Sequence, residues 1–568
     1  MSYRPVSPPT WYQSLSDWLL GNSRKKRDAE DGPPESANVE FLETRMVLTA
    51  IGAAGAAATA AAGASSPEHQ AADTSTSTTT NPDGSTTSTS TTTTTNADGS
   101  VTTVVTTTTT HADGSTSTSS STTTSAATTS NATVDSDESL GSAVQSDGKI
   151  VLVGFAQATA SDATDANNFD FAVTRLNADG SLDTTFGTNG KKTIAFDLGG
   201  EDNNQDVATC VQIQSDGKIV VGGYTKRDSS GNYDFAVVRL NTDGSLDTTF
   251  SNDGKATVAF DLGGYGDDRA TSMAIQPDGG IVLGGYSQAS TGGNNVFALA
   301  RLTTDGELDQ SFTGDGRKFI SFNGGDDRAA AVAVQSDGKI VIVGYGTGNG
   351  TGYDYAIARV KANGSLDYGF SGDGKKMVGF NLGGSSADTA AAVSIQTDGS
   401  IVMGGTVQSA TGDDDFGVTR LKANGSMDKS FGNGGRKVIS YNLGGNNDDQ
   451  LTAMAIQADG KIVVGGITQI SLTGDYDYAA ARLNTNGSLD TDFSTDGKKT
   501  VGINLGATDN DLANSLNIQS DGKIIMAGSA IKSAPGNTDF AAIRLNDDGS
   551  LDTGFGTSGV KTVPFDLT

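Results

Sequence analysis

The sequence contains almost no cysteine and almost no histidine. Its single cysteine, Cys210, excludes an intrachain disulfide and a cysteine-rich metal site. The two histidines, His69 and His111, both precede the repeated part of the chain, which therefore offers no imidazole for a general base, a Ser/His/Asp triad or a zinc site. These absences argue against ordinary hydrolase chemistry, and we expect a protein that is not an enzyme.

Positive charge and long apolar runs are also scarce. There are 38 Lys and Arg residues against 67 Asp and Glu, and the formal net charge is -29. Such an excess of negative charge disfavours nucleic acid and anionic membrane surfaces as partners. An apolar stretch that begins at Met46 is rich in Ala and too weakly hydrophobic for a membrane-spanning helix. We expect no nucleic acid partner and no membrane span.

Glycine, by contrast, is abundant, with 75 residues. The apolar residues occur in short runs separated by Gly, Asp and Asn, a pattern typical of many short strands joined by tight turns. The sequence therefore predicts an all-β protein.

Residues 1–65 have the features of an export region. A basic run at residues 24–27 (RKKR) precedes the Ala-rich stretch from Met46, as in a secretory signal. Residues 42–48 (LETRMVL) resemble the bacterial LEPRxLL motif of exported proteins, with Thr44 in place of the proline and Val47 in place of a leucine. The resemblance implies that the protein is secreted, periplasmic or on the surface of a bacterium. The alternative is a chance match in a polar tail.

Residues 66–132 are of low complexity, mostly Thr, Ser and Ala. Three turn sequences that contain Asp-Gly begin at Asn81, Asn96 and His111. Asp-Gly favours hairpin turns and Thr favours extended backbone, so the segment could form a weak β-meander. With few apolar side chains it could equally be a flexible or glycosylated stalk. In either case we interpret it as a spacer.

Residues 133–568 contain a unit that recurs roughly every 60 residues. A first signature, Gln-x-Asp-Gly-x-Ile, stands between two short apolar runs, where its Asp-Gly forms a hairpin turn. The signature begins at Gln145, Gln214, Gln276, Gln335, Gln396, Gln457 and Gln519.

A second signature, Arg-(Leu/Val)-x-x-(Asp/Asn)-Gly-x-(Leu/Met)-Asp-x-x-Phe, also occurs seven times and joins two further apolar runs. Each unit thus has four strands, A to D, in antiparallel order. The period, strand count and copy number predict a seven-bladed β-propeller of four-stranded antiparallel blades. The array begins with an A strand near Leu140 and ends with a D strand at Lys561. Every blade is then complete, and the ring must close by packing of the first blade against the last.

Both signatures resemble those of the bacterial delta-60 repeat, whose QxDGKIxxxG and RLNxDGSLDxxF elements recur in all seven units. The resemblance implies a β-propeller and implies little about activity, because function does not follow from fold.

An aspartate stands eight positions before the first-signature Gln in every unit. If A is the innermost strand, these carboxylates could form a ring at one mouth of the channel and bind Ca²⁺, which prefers oxygen ligands. The alternative is that each aspartate accepts main-chain N–H groups within its own loop. The candidates are Asp137, Asp206, Asp268, Asp327, Asp388, Asp449 and Asp511.

The second signature resembles part of an Asp-rich calcium loop, but arginine replaces the first aspartate of that loop in every copy. A guanidinium repels a metal ion and can instead pair with the later carboxylate. We therefore predict an ion pair such as Arg175 with Asp183 in each blade.

The loops between strands B and C vary most between the units, for example after Phe155, Tyr224 and Ile467. Variable loops on a rigid scaffold are the usual place for recognition. We therefore expect a monomeric, exported, non-catalytic recognition or scaffold propeller that binds a protein or glycan through these loops. The alternatives are a calcium-dependent, lactonase-like propeller hydrolase and a purely structural surface protein.

Overall fold

The computed structural model describes residues 73–81, 83, 85–95, 101–125, 136–157, 168–196, 198, 205–228, 231–262, 266–289, 293–347, 352–383, 387–445, 447–471, 475–503, 505, 510–533 and 537–565. They fall into two compact units, one within residues 73–125 and one within residues 136–565. No helix of this described part is long and apolar enough to cross a membrane. The export motif at residues 42–48 lies outside the described residues.

The Thr- and Ser-rich segment forms a four-stranded antiparallel meander. Its strands are β1 (Asp73–Thr80), β2 (Thr86–Thr95), β3 (Val101–Thr110) and β4 (Thr116–Ser125). Hydroxyl groups pair across the strands, as between Thr106 and Ser120 at 2.9 Å. In the turn before β4, Asp113 accepts the main-chain N–H of Ser115 at 3.0 Å. Cross-strand Thr and Ser pairs therefore supply the side-chain contacts that apolar residues supply in most sheets.

The second unit contains seven four-stranded antiparallel sheets, the blades, and each uses four consecutive strands. The A strands are β5 (Glu138–Val144), β9 (Asp206–Ile213), β13 (Asp268–Ile275), β17 (Arg328–Val334), β21 (Thr389–Ile395), β25 (Asp449–Ile456) and β29 (Asp511–Ile518). The B strands are β6 (Ile150–Gln157), β10 (Ile219–Lys226), β14 (Ile281–Gln288), β18 (Ile340–Thr347), β22 (Ile401–Gln408), β26 (Ile462–Gln469) and β30 (Ile524–Ser533).

The C strands are β7 (Phe169–Leu176), β11 (Tyr233–Leu240), β15 (Asn295–Leu302), β19 (Tyr353–Val360), β23 (Asp414–Leu421), β27 (Tyr476–Leu483) and β31 (Asn537–Leu545). The D strands are β8 (Lys191–Ile194), β12 (Lys255–Val258), β16 (Arg317–Ile320), β20 (Lys375–Val378), β24 (Arg436–Ile439), β28 (Lys498–Val501) and β32 (Val560–Val563). The strand order A-B-C-D in every blade confirms the prediction from the two signatures.

The A strands lie innermost. Each A strand contacts the A strand of the next blade all around the ring, and β29 contacts β5. Each D strand pairs on one side only and forms the outer edge of its blade. Most D strands begin with Lys or Arg, a residue type that protects a sheet edge from pairing with another chain.

The B strands are buried on both faces, which explains their runs of Ile and Val. The glycine at the fifth position of each B strand allows close approach of strand A. At Gly223 a Cβ atom would lie 2.0 Å from the carbonyl oxygen of Val207, at the point where strand A carries a bulge. The equivalent glycines meet the same obstacle, so a larger residue there would push strand A away.

The ring closes by packing of the first blade against the last, as predicted. Ile150 and Leu152 of the first blade share a buried apolar cluster with Phe540 and Phe555 of the seventh. Within the described residues, no strand of one of these two blades joins the sheet of the other, because each blade has its own four strands. Closure therefore rests on side-chain contacts between blades and on hydrogen bonds at their ends.

Candidate functional site

The predicted arginine–aspartate ion pair is present in all seven blades, with N–O distances of 2.6–3.1 Å. The pairs are Arg175–Asp183, Arg239–Asp247, Arg301–Asp309, Arg359–Asp367, Arg420–Asp428, Arg482–Asp490 and Arg544–Asp552. In four blades the lysine of the first signature reaches the same carboxylate. These lysines are Lys149, Lys218, Lys461 and Lys523. The two signatures of a blade are thus joined by charge.

Each of these arginines also binds the next blade. Its Nη1 donates to a main-chain carbonyl in the C–D turn of that blade, at 2.5–3.0 Å in the first five blades. The acceptors are Thr242, Thr304, Ala362, Ala423, Thr485, Asp547 and, across the ring closure, Ala178. The arginine therefore acts as a connector between blades, a role that the sequence did not reveal.

The glycine of the same turn completes this connection. Gly244 has a φ of 85°, and a Cβ atom there would lie 2.9 Å from the main-chain nitrogen of Gly187 in the previous blade. Beside it, the N–H of Gly187 donates to the carbonyl of Asp243 at 2.8 Å. Only glycine permits both this conformation and this approach. We call the arginine, aspartate and turn of the second signature the blade latch.

The seven aspartates of the predicted ring also connect blades. Each is at most 1% exposed, and its Oδ2 accepts a main-chain N–H that follows the D strand of the preceding blade, at 2.5–2.8 Å. The donor and acceptor pairs are Phe565 and Asp137, Phe196 and Asp206, Phe260 and Asp268, Phe322 and Asp327, Phe380 and Asp388, Tyr441 and Asp449, and Ile503 and Asp511.

Burial changes the acidity of several of these groups. It raises the pKa of Asp268 to about 7, against the lowering effect of hydrogen bonds from Ser287 and from the N–H of Phe260. Burial likewise raises the pKa of Asp449 to about 7 and that of Asp388 to about 6. Carboxylates of this kind hold a proton more readily than exposed ones.

The structure does not bring three of these carboxylates together. Among the described residues, no group of three or more His, Cys, Asp or Glu side chains is arranged to hold a metal ion. In each blade the residue directly after the aspartate varies and is charged in some blades. The residues between it and the first-signature Gln carry no charge. Ser142 and Ser515, for example, meet at 2.7 Å across the first and seventh blades. Calcium binding at the ring remains a prediction.

The ends of the B–C loops lie beside these aspartates, while residues 158–167, 229–230 and 472–474 of the loops lie outside the described residues. Tyr233, where strand C begins, donates to Gln205 Oε1 at 2.6 Å, next to Asp206. Here the blades differ from one another. The position after the aspartate holds Glu138, Val207, Arg269, Arg328, Thr389, Gln450 and Leu512.

In the third blade the position directly after the repeated aspartate holds a buried arginine, which contacts the second blade. The guanidinium of Arg269 lies 4.5 Å from the ring centre of Tyr233 and 5.1 Å from that of Tyr224, while its Nε pairs with Asp267 at 2.8 Å. Such a stack is a cation–π arrangement. Variation near the B–C loops thus includes buried charge, whereas the blade latch and the aspartates repeat in every blade.

A groove at the rim, which the sequence did not indicate, lies beside β24. It has a volume of about 810 Å³ and is lined by Arg436, Lys437 and Val438 of that strand, by Phe380 of the preceding blade and by the glycine-rich turn around Gly434. The sequence feature that could have pointed to this groove is Gly434, because most other blades carry Asp or Asn at the same place in the turn.

A ring of seven four-stranded antiparallel blades around a common axis defines the class of the protein, a β-propeller. Its seven repeats match the family model described as "Domain of unknown function (DUF5122) beta-propeller". The matched residues are 145–186, 214–250, 276–312, 335–370, 396–431, 457–493 and 519–555. The chain is therefore a β-propeller repeat protein. No curated protein sequence matches it.

The solved structures that are similar to the chain share little sequence identity with it. The β-propeller domain of the Trilobed protease from Pyrococcus furiosus is 11% identical with a TM-score of 0.30, over 72% of this chain and 92% of that one. Pyrococcus horikoshii acylaminoacyl peptidase is 10% identical with a TM-score of 0.33, over 73% and 52%. The endo-arabinase from Bacteroides thetaiotaomicron is 11% identical with a TM-score of 0.28, over 52% and 93%. Similarity at this level assigns no activity.

Proposed function

We propose that this chain is a non-catalytic recognition or scaffold propeller that is exported to the envelope or surface of a bacterium. The observation that supports this proposal is that the repeated polar residues already bind groups within the propeller. In every blade the signature arginine and the two repeated aspartates are engaged in hydrogen bonds or ion pairs that tie a blade to itself or to its neighbour. A group so engaged is poorly placed to act on a substrate.

Recognition is assigned to the B–C loops because they differ between blades and stand on a rigid ring. The ligand is a protein or a glycan, and the propeller acts as a monomer. The Thr- and Ser-rich meander serves as a spacer. Export rests on the basic run, the Ala-rich stretch and the resemblance of residues 42–48 to LEPRxLL.

A loop exchange tests the recognition role. In the first blade the loop after Gln157 is closed by the Gln157–Phe169 pair, and in the fifth the short loop after Gln408 is closed by the matching Gln408–Asp414 pair. Residues 158–168 are replaced by residues 409–413, and binding to a panel of purified envelope polysaccharides and proteins is measured. We expect loss of one ligand of the parent chain with an unchanged melting temperature.

The control exchanges a turn at the other end of the blade. Ala178→Thr gives the first-blade turn the sequence of the second-blade turn. This variant should bind as the parent does. Turnover of lactones or phosphotriesters that requires added Ca²⁺ would contradict the non-catalytic assignment and support the hydrolase alternative. A parent chain that binds nothing in the panel would favour the purely structural alternative.

Export is tested separately, by fractionation of a bacterial host that expresses the whole chain. We expect the protein outside the cytoplasm and expect it to stay inside when residues 24–27 and 42–48 are replaced by Ser and Gly. An unchanged distribution would show that these residues do not direct export.

A further inference from the structure

The boundary between the fifth and sixth blades contains two buried carboxylates that face each other. Asp414 begins strand C of the fifth blade and is 1% exposed, and Asp448 directly precedes strand A of the sixth blade and is 6% exposed. The main-chain N–H of Asp414 donates to Asp448 Oδ1 at 3.4 Å. Burial, and after it the Asp448 carboxylate, raise the pKa of Asp414 to about 8. In the described part of the chain no Lys or Arg side chain pairs with either carboxylate.

The boundary between the third and fourth blades shows how such a carboxylate is held when it has partners. Asp326 corresponds to Asp448, since each directly precedes the repeated aspartate of its blade. Arg328 Nε lies 3.3 Å from Asp326 Oδ2. The side chain of Asn295, which begins strand C of the third blade, donates to Asp326 Oδ1 at 2.7 Å. A guanidinium and an amide therefore compensate this carboxylate.

The boundary between the fifth and sixth blades lacks both of these donors. Gln450 stands in the place of Arg328, and Asp414 stands in the place of Asn295. The third blade has the same kind of ion pair as the fourth, because Arg269 Nε pairs with Asp267 at 2.8 Å.

Among the three blades with an aspartate directly before the repeated aspartate, only the sixth has no arginine two positions later. Two carboxylates without a cation thus lie where the equivalent boundaries hold an ion pair.

Two buried oxygen atoms at this boundary have no hydrogen-bond partner among the described residues. They are Oδ2 of Asp414 and the hydroxyl of Tyr476, a side chain that is 4% exposed. Burial raises the pKa of this hydroxyl, and the carboxylates of Asp448 and Asp414 raise it further, so the hydroxyl lies near both. A buried polar atom without a partner costs free energy. These atoms therefore indicate a missing donor. We call Asp414, Asp448, Gln450 and Tyr476 the acidic pocket.

Smaller side chains leave space at the acidic pocket. At the equivalent boundaries a buried tyrosine at the sixth position of strand B lies beside the arginine of the next blade. The guanidinium of Arg328 is 5.2 Å from the ring centre of Tyr286, and that of Arg269 is 5.1 Å from the ring centre of Tyr224. The fifth blade has Thr406 at this position, and its side chain is only half-buried. Solvent therefore reaches the place that a tyrosine and an arginine fill elsewhere.

We propose that the acidic pocket binds the guanidinium of an arginine side chain of a partner protein. The guanidinium lies where Arg328 lies in the fourth blade and donates to Asp448, to Oδ2 of Asp414 and to the hydroxyl of Tyr476. A guanidinium has five N–H donors in a planar arrangement and so can reach several acceptors at once. This assignment rests on the recognition role proposed above and names the chemistry of its protein ligand.

A divalent metal ion is the competing occupant, because two carboxylates would balance its charge. Ca²⁺ takes about six to eight oxygen ligands, and carboxylates are the main ones. No three His, Cys, Asp or Glu side chains of the described residues are arranged to hold a metal ion. The equivalent boundaries hold a guanidinium instead. The observations therefore favour an arginine.

Calorimetry of the whole chain with an end-blocked Gly-Arg-Gly peptide tests the proposal, with Gly-Lys-Gly and Gly-Gln-Gly peptides as the other probes. We expect the arginine peptide to bind, the lysine peptide to bind more weakly and the glutamine peptide not to bind. Gln450→Arg supplies a guanidinium from the chain itself, as Arg328 does. It should abolish binding and raise the melting temperature, because it pairs a buried carboxylate. A damaged fold would lower the melting temperature instead.

Matched variants separate the acidic pocket from the general negative charge of the protein. Asp414→Asn introduces the residue that the third blade has as Asn295 and should weaken binding of the arginine peptide roughly tenfold or more. Asp398→Asn removes the same charge from the exposed A–B turn of the fifth blade and should leave binding unchanged. Equal effects of these two variants would overturn the proposal.

Three further results would also overturn it. They are absence of arginine-peptide binding, unchanged binding in Gln450→Arg, and a rise in melting temperature with Mn²⁺ that disappears in Gln450→Arg. The recognition role fails separately. If the parent and Gln450→Arg bind the same envelope ligand equally and neither binds the arginine peptide, the recognition role stands and the acidic pocket is not its site.

Discussion

The main-chain N–H of Phe565, at the end of the last blade, donates a hydrogen bond of 2.5 Å to Oδ2 of Asp137, which precedes the first strand of the first blade. The same contact joins all of the remaining pairs of neighbouring blades, as between Phe260 and Asp268 at 2.7 Å. The two ends of the propeller are thus joined in the same way as its interior blades. The closing contact should therefore contribute to stability as much as an interior one.

Removal of this carboxylate tests the closure. Asp137→Ala leaves the buried N–H of Phe565 without its acceptor and should lower the free energy of unfolding by about 1–3 kcal/mol. Asp268→Ala, at an interior interface, should have an effect of similar size. Urea denaturation measures both, with the exposed Glu307→Gln as the control. If Asp137→Ala left the free energy of unfolding unchanged while Asp268→Ala lowered it, the ring would be open in solution.

The blade latch should be sensitive to loss of its arginine. Arg359 pairs with Asp367 at 2.9 Å and donates to the carbonyl of Ala423 in the next blade at 2.5 Å. Arg359→Met leaves the buried Asp367 charge unpaired and should cost about 3 kcal/mol of unfolding free energy. Arg359→Met combined with Asp367→Leu should recover part of that loss, because no unpaired charge remains.

Urea denaturation of the single and double variants measures how much the blade latch contributes to the free energy of unfolding. The connection to Ala423 remains broken in the double variant, so full recovery would mean that the contact with the next blade contributes nothing. An unchanged stability of Arg359→Met would contradict the role assigned to the latch.

Stability should depend on pH through the buried aspartates. Burial raises the pKa of Asp268 and of Asp449 to about 7, above the ordinary value near 4, so the folded state binds more protons than the unfolded state between these values. Their contribution is fully present below pH 4 and is lost as the pH rises through about 7. The free energy of unfolding should therefore decline from pH 5 to pH 8.

The latch carboxylates act in the opposite direction at lower pH. Although burial raises the pKa of Asp183, hydrogen bonds from Thr185, Lys149 and Arg175 hold it well below its usual range. Its stabilising contribution is lost only as the pH falls below about 4. Melting temperatures of the parent and of Asp268→Asn with Asp449→Asn, measured from pH 5 to pH 8, check the sign. The double variant should show a flatter decline, and an equal slope would contradict it.

Calcium distinguishes the two hypotheses for the seven aspartates. A shared cation site predicts a higher melting temperature with Ca²⁺, by about 2.7 kcal/mol of stabilisation at a concentration one hundred times the dissociation constant. Carboxylates that already accept main-chain N–H groups predict no change. We expect equal melting temperatures in Ca²⁺ and in chelator. A rise that disappears in Asp388→Asn would establish the cation ring and revive the hydrolase alternative.

The sequence was sufficient for the number of blades, the strand order and the ion pair within each blade. These features depend on short-range patterns, since a hairpin turn such as that after Gln214 and a pair such as Arg239 with Asp247 involve residues close in the chain. Seven copies of one pattern also repeat the same information. The packing of the first blade against the last followed from the phase of the repeat.

The partners between blades were decided by the tertiary structure. The carbonyl of Thr304 lies 65 positions after Arg239, and Asp137 accepts the N–H of Phe565 across nearly the whole propeller. Sequence shows that an arginine has more donors than one aspartate can use, but it does not show which carbonyl the remaining donors reach. The angle and spacing of neighbouring blades determine this.

The rim groove illustrates the same division. Gly434 is visible in the sequence as a departure from the Asp, Asn or Ser of the other blades. That Phe380 of the preceding blade lines the groove beside β24 is a consequence of how two blades meet. The sequence determined the blade, because its strands and turns are local. Only the tertiary structure decided what lies between blades, because those contacts arise from the closure of the ring.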